Sequence, residues 1–148
     1  MKLASRNDSY GFAERCRRNL LFIDEASQSR QDVHLVTQII TSSLGLIVFP
    51  WERKADQKIG GTPISVLDES PEAMWTETKP SKGLGQLIKN LRNAIAHGNI
   101  HFSSDDREAS KVVIRFASEN GDWQATISAN NLMTFSLRFI ELIKNEVG

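Results

Sequence analysis

The stretch from residue 83 to residue 98, GLGQLIKNLRNAIAHG, decides the fold. Its large apolar residues recur at spacings of four, three and four, at Leu84, Ile88, Leu91 and Ile95. That spacing is typical of one face of an α-helix. Gly98 follows the last periodic residue, where a glycine commonly ends a helix. We therefore expect a helix from about Gly83 to His97 with one face in the core.

The polar residues of the same stretch fall on the other side of this helix. At about 100° per residue, Asn93 lies about 180° from Leu84 and His97 about 220° from it. Arg92 lies about 140° from His97, but its long side chain can present a planar fork to a phosphate. The pattern predicts that Asn93 and His97 point away from the core.

The rest of the chain predicts three more helices and a small hairpin. Apolar spacing favours helices from Ser9 to about Ala26, over residues 33–49 up to Pro50, and from Leu132 to the end. Two short β-rich runs, residues 111–116 and 123–127, predict a hairpin before the last helix. We expect a mainly α-helical, up-and-down four-helix bundle that forms one domain over residues 1–148.

A long loop is expected over residues 50–82. All four prolines, two of the three tryptophans and Gly60-Gly61 lie in this stretch, so no helix should run through it. Loops of this length are uncommon in compact domains and often bind or cover something. We expect Trp51 and Trp75 to fix the loop to the core rather than to stack on a ligand.

Composition limits the classes of function. With 18 basic and 18 acidic side chains the chain is formally neutral, so it lacks the broad positive surface that binds long nucleic acids. The longest apolar stretch, Leu44 to Phe49, is far too short to span a bilayer. The amino terminus lacks the apolar segment of a signal peptide. We expect a cytoplasmic protein without membrane association.

The motif Arg92-Asn93-Ala94-Ile95-Ala96-His97-Gly98 resembles that of the HEPN domains. Their mark is an Arg, then a polar residue, then a His near the end of the third helix of a four-helix bundle. The order of predicted elements agrees over essentially the whole chain, and is most similar to small stand-alone bacterial members that mobile elements often carry. The sequence is thereby identified as a member of this family.

The resemblance implies a metal-independent endoribonuclease of a toxin–antitoxin or other defence system, commonly a homodimer. Its partners would be RNA and, in a toxin–antitoxin pair, a cognate antitoxin. His97 would act as acid and base, Arg92 would hold the scissile phosphate, and Asn93 would position the histidine or the RNA. RNA supplies its own nucleophile, the 2′-hydroxyl, so proton transfer and charge stabilisation suffice and no cofactor is expected.

The helix geometry motivates the hypothesis of a symmetric dimer. Five residues separate Arg92 from His97, so one copy does not aim both groups at a single atom. Two copies facing each other about a two-fold axis would pool these groups in one groove. Arg15 and Arg18 on the first helix and Lys89 on the motif helix are candidate RNA contacts, although a solvated helix face also explains them.

Three other groups of residues each have two interpretations. His97 and His101 with Asp105 or Asp106 are candidate metal ligands, but Gly98-Asn99 should break the helix between the two histidines. Cys16 falls in register with apolar neighbours, which favours a buried thiol over a nucleophile. Gly83-Leu84-Gly85 at the helix start is either a phosphate cradle or a simple helix entry.

Two further classes of function compete with the nuclease. The first is a non-catalytic helical module in which Arg92 and His97 hold a dimer or a partner together. The second is a domain that binds a small nucleotide without cleaving RNA. Substitution of His97 and Arg92 distinguishes the first from a nuclease, and nucleotide binding without RNA turnover would indicate the second.

Overall fold

The described part of the chain contains four α-helices and one four-stranded antiparallel sheet. The computed structural model describes residues 3–30, 34–52, 60–67, 74–106 and 108–147. The helices are α1 (Leu3–Ser27), α2 (Leu35–Glu52), α3 (Leu84–Ala96) and α4 (Ala129–Val147). The strands are β1 (Thr76–Glu77), β2 (Ile100–Phe102), β3 (Val113–Ala117) and β4 (Gln124–Ser128), and short 3-10 turns occupy Ile64–Val66 and Ala109–Lys111.

Each of the four predicted helices is present, although α1 begins at Leu3 rather than Ser9 and α4 at Ala129 rather than Leu132. A further difference lies at a proline. The second helix was expected to stop at Pro50, yet α2 continues through it to Glu52. Proline has a φ near the helical value, but it lacks an N–H donor and its ring crowds the carbonyl four residues earlier. In agreement with this cost, α2 ends two residues after Pro50. The prediction that Pro50 ends the second helix is therefore wrong by two residues.

Helices α1, α2 and α4 pack against one another, whereas α3 packs against α2 and β3. A buried hydrogen bond between Ser43 Oγ and Ser136 Oγ, 2.7 Å long, joins α2 to α4. In a partly buried position, Lys144 Nζ of α4 donates to Glu14 Oε2 of α1 at 2.8 Å. The mainly helical class is confirmed, but a regular four-helix bundle is only part of the architecture, because the sheet supplies one of the two main packing partners of α3.

The predicted hairpin is confirmed as β3 and β4, within a larger sheet. The strand order is β1-β4-β3-β2, so two short strands extend the hairpin on both edges. Alternate residues of β3 and β4 are buried, and Ile114 pairs with Ile127 in register. The prediction of a two-stranded unit was wrong in extent, because strands of two and three residues are too short to show a period in sequence.

The segment predicted as a loop also contributes to the core. Trp75 is buried at 6% exposure, and its ring lies 5.8 Å from that of Phe116 and 5.5 Å from that of Phe135. The expected packing role of Trp75 is thus confirmed. The side chain of Trp51 lies outside the described residues.

A second contact ties this segment to α4. Arg138 Nη1 donates a hydrogen bond to the Leu67 carbonyl at 2.8 Å, and Leu67 is itself buried. Within the described ranges, none of the helices is both long and apolar enough to cross a membrane.

Candidate functional site

The start of α3 is closed by main-chain carbonyls of the preceding segment. The N–H of Leu84 donates to the Thr62 carbonyl at 2.8 Å, and the N–H of Gly85 donates to the Gly60 carbonyl at 2.9 Å. These are two of the N–H groups that a helix leaves unpaired at its first turn. Because both are occupied, the structure supports helix entry rather than a phosphate cradle at Gly83-Leu84-Gly85.

The apolar face of α3 is buried as the sequence predicts. The fully buried positions lie on one side of the helix and are Leu84, Leu87, Ile88, Leu91 and Ala94. Ile95 lies within that face by the same spacing but is only half-buried, in the last turn of the helix. This packing against α2 and β3 fixes which side of the helix remains open.

The end of α3 is a tight glycine-dependent cap. Gly98 has a φ of +69°, its N–H donates to the Ile95 carbonyl at 3.1 Å, and the N–H of Asn99 donates to the Ala94 carbonyl at 2.8 Å. This pair of bonds is the Schellman arrangement, which requires a left-handed residue just after the helix cap. The predicted stop at Gly98 is confirmed, and it places His97 at the cap.

Two of the three motif side chains lie on the exposed face of α3, and the third lies where the exposed and buried faces meet. Asn93 and His97 are exposed, and Arg92 is half-buried. The main-chain N–H of His97 donates to the Asn93 carbonyl at 3.1 Å, which places the two residues one turn apart. Within the described chain their side chains share no hydrogen bond, so Asn93 does not orient the imidazole here.

Arg92 and His97 do not converge within one chain. Five residues of helix separate them by about 7.5 Å along the axis and about 140° around it. Arg92 is in addition already engaged with another group of the chain. A single copy therefore presents the imidazole alone, with the guanidinium at the flank.

The chain leaves the motif through the cap and enters β2 directly. The Asn99 carbonyl accepts the N–H of Ala117 at 3.1 Å, and His101 pairs with Arg115 across β2 and β3. His101 is exposed on a strand, so the two histidines do not share a helix face. We did not predict β2 from the sequence, although the apolar-polar-apolar alternation Ile100-His101-Phe102 weakly indicates a strand.

The candidate metal ligands gain no support from this geometry. Over the ranges that the structure describes, no three His, Cys, Asp or Glu side chains lie together as a metal ion would require. His97 caps a helix, whereas Asp105 and Asp106 lie beyond β2.

The candidate RNA contacts divide between two helices. Lys89 is exposed on α3, about 40° around the helix from Asn93. Arg15 is exposed on α1, and so is Arg18, whose Nε donates to Glu14 Oε1 at 3.3 Å. Since α1 packs mainly on α2 and α4, only Lys89 shares an element with the motif.

Glu14 neutralises much of the basic cluster on α1. Its carboxylate accepts hydrogen bonds from Arg17 and from Lys144. These bonds, Arg17 first, hold the pKa of Glu14 far below its usual range, and the same pairing raises the pKa of Arg17 and of Lys144. Glu14 therefore joins Arg17 of its own helix to Lys144 of α4.

Cys16 is buried at 8% exposure in the core beside Leu20. Burial raises the pKa of the Cys16 thiol, against a smaller opposing effect of Arg15. A buried thiol that resists ionisation is a poor nucleophile. The interpretation of Cys16 as a structural residue is supported.

Comparison with known proteins shows the family of this chain. The model of one family, described as HEPN pEK499 p136, matches residues 1–148, the whole chain. No curated protein and no solved structure matches the chain. Together with the capped helix that carries Arg92, Asn93 and His97, the match shows that the chain belongs to the HEPN pEK499 p136 family.

Proposed function

We propose that this chain is a metal-independent endoribonuclease of the cytoplasm, which acts as a homodimer in a toxin–antitoxin or other defence system. The observation that carries the proposal is the exposure of His97 at the glycine-capped end of α3, beside exposed Asn93. An imidazole held at a fixed helix end and open to solvent is suited to proton transfer with a large substrate. Membership in a HEPN family supports the same proposed function.

The reaction requires only groups that the motif offers. The 2′-oxygen of a ribose attacks the adjacent phosphorus, an imidazole of His97 accepts the 2′-hydroxyl proton, and the bond from phosphorus to the 5′-oxygen breaks. A protonated imidazole returns a proton to the departing 5′-oxygen. The products are a 2′,3′-cyclic phosphate and a 5′-hydroxyl, and Arg92 would stabilise the charge that develops on the phosphate oxygens.

A dimer completes this site. Because Arg92 and His97 of one copy are about 140° apart around the helix, a second α3 related by a two-fold axis would bring the Arg92 of one protomer toward the His97 of the other. Lys89, Asn93 and His97 all lie on the exposed side of α3, where two copies would meet. In a toxin–antitoxin pair, the antitoxin would cover the same groove.

Substitution of His97 tests the catalytic claim. We expect His97→Ala to lower RNA cleavage at least about 100-fold, the usual contribution of a general acid or base. The matched control is His101→Ala, which removes an exposed imidazole four residues further on and should leave cleavage unchanged. Equal activity of the His97→Ala variant and the unsubstituted chain would rule out the mechanism.

The dimer claim has a separate readout. Sedimentation should show a dimer at the concentrations where RNA is cleaved, and Arg92→Ala should lower cleavage while it leaves the sedimentation unchanged. A fully active protein that is strictly monomeric would contradict the composite site.

One observation favours a second candidate, a non-catalytic dimerisation or binding module. Arg92 is half-buried and already engaged within its own chain, as expected of a structural residue. This reading predicts that Arg92→Ala dissociates or unfolds the protein, and that the purified chain cleaves no RNA in the presence of chelator.

A further inference from the structure

A cavity of about 280 Å³ lies between the first turns of α2 and the chain that follows β2. Its apolar lining comes from Val36 and Ile40 of α2, from Phe102 at the end of β2, and from Val112 before β3. None of the residues so far placed in the motif takes part in it. The cavity is therefore separate from the proposed catalytic groove.

Phe102 gives this cavity an open aromatic surface. It pairs in register with buried Ile114 of β3, yet its side chain is 49% exposed. Because the ring lines the cavity, an incoming group can contact both the exposed ring and the apolar lining. The face of such a ring attracts cations as well as apolar groups.

Among the residues that the structure describes, the carboxylates at the rim of the cavity belong to two aspartates. Asp105 and Asp106 line the cavity, and no lysine or arginine is among the described residues that do so. Asp106 Oδ1 accepts the N–H of Glu108 at 2.9 Å, which fixes the direction of that carboxylate, while Asp105 is exposed. On the opposite rim, His34 Nδ1 accepts the N–H of Thr37 at 3.3 Å and holds the start of α2.

We propose that this cavity binds the arginine side chain of a protein partner. A guanidinium can stack on the ring of Phe102 while its N–H groups donate to Asp105 and Asp106. Its methylene stem can lie on Val36 and Ile40. Lysine lacks the planar fork, so the cavity should prefer arginine.

RNA is the less suitable occupant, because the two aspartates repel phosphates. The proposal does not depend on the nuclease function. Phe102 nevertheless lies five residues after His97, on the strand that follows the motif helix, so a bound partner would be close in the chain to the proposed active site.

The test is an NMR titration of the full chain with three probes: the N-acetyl amides of arginine, lysine and citrulline. Citrulline has the shape of arginine without the charge. We expect saturable shifts at the amides of Phe102 and Thr37 with the arginine probe, at a Kd on the order of 1 mM as befits so small a ligand. The lysine and citrulline probes should bind at least about threefold more weakly.

Two substitutions connect the shifts to the cavity. Asp105→Asn and Phe102→Leu should each weaken arginine binding about threefold or more, and Glu119→Gln, an equal loss of charge on the β3–β4 turn, should not. Equal binding of citrulline and arginine, arginine binding that Asp105→Asn leaves unchanged, or the absence of saturable shifts would overturn the proposal. RNA cleavage is not the readout, so a failure here is distinct from a failure of the nuclease proposal.

Discussion

Replacement of Gly98 by alanine is the most informative single change for the geometry of the motif. Gly98 has a φ of +69° and forms the cap that ends α3. A Cβ built there meets no other atom within 4 Å. The cost of the substitution therefore comes from the backbone conformation alone and not from crowding.

The expected loss of stability follows from two opposing effects. A left-handed conformation costs an L-residue about 1 to 2 kcal/mol, and the smaller freedom of alanine in the unfolded chain returns about 0.4 to 1 kcal/mol. The free energy of unfolding should thus fall by about 1 kcal/mol. For a chain of this size that corresponds to a Tm lower by about 3 °C.

Gly121 provides the matched control, because its φ is +77° and it is equally open. It lies in the turn between β3 and β4, away from the motif. Urea and thermal unfolding should show similar losses for Gly98→Ala and Gly121→Ala. Only Gly98→Ala should also lower RNA cleavage, since it alone loosens the cap that holds His97.

A Gly98→Ala protein as stable as the unsubstituted chain would contradict this expectation. That result would mean that residue 98 is not left-handed and that the helix ends differently. If both variants lose stability and cleave RNA equally well, the cap is real but does not position His97. Gly98→Asn should recover part of the loss, since asparagine tolerates this conformation better.

Three other changes have defined outcomes. Ser43→Ala should cost about 1 to 2 kcal/mol in urea unfolding, because it leaves the buried Ser136 hydroxyl without its 2.7 Å partner; adding Ser136→Ala should cost less than the sum of the single changes. Gly85→Ala should cost about 1 to 3 kcal/mol, because its Cβ would lie 2.9 Å from the carbonyl oxygen of Gly60. Glu14→Gln should be less stable than the unsubstituted chain at pH 7. The pKa of Glu14 is lowered in the folded chain, so the difference in the free energy of unfolding between the two proteins is complete above the unfolded pKa of about 4.3. It is lost as the pH falls through the folded pKa. Urea unfolding at several pH values measures it.

The features of the motif helix that the sequence predicts are those set by local rules. The spacing of Leu84, Ile88 and Leu91 gives the buried face, because side chains three and four apart share one side of a helix. The exposure of His97 follows from the same period. The end of the helix at Gly98 could be predicted because it depends on the left-handed backbone conformation of the residue just after the helix cap, which glycine adopts readily.

The features that could not be predicted depend on residues distant in sequence. The carbonyls of Gly60 and Thr62 close the start of α3 from more than twenty residues away, and Lys144 reaches Glu14 across 130 positions. Neither contact leaves a periodic signal. The short edge strands β1 and β2 were missed for a related reason, since their partners in the sheet stabilise them rather than their own composition.

The proposed nuclease activity depends most directly on the chemistry of His97. The decisive measurement is the end-group analysis of RNA incubated with the purified chain in excess chelator, beside the His97→Ala variant. We expect fragments with 2′,3′-cyclic phosphate and 5′-hydroxyl ends from the unsubstituted chain, and at least about 100-fold fewer from His97→Ala. Intact RNA with both proteins, or equal fragmentation by both, would contradict that proposal.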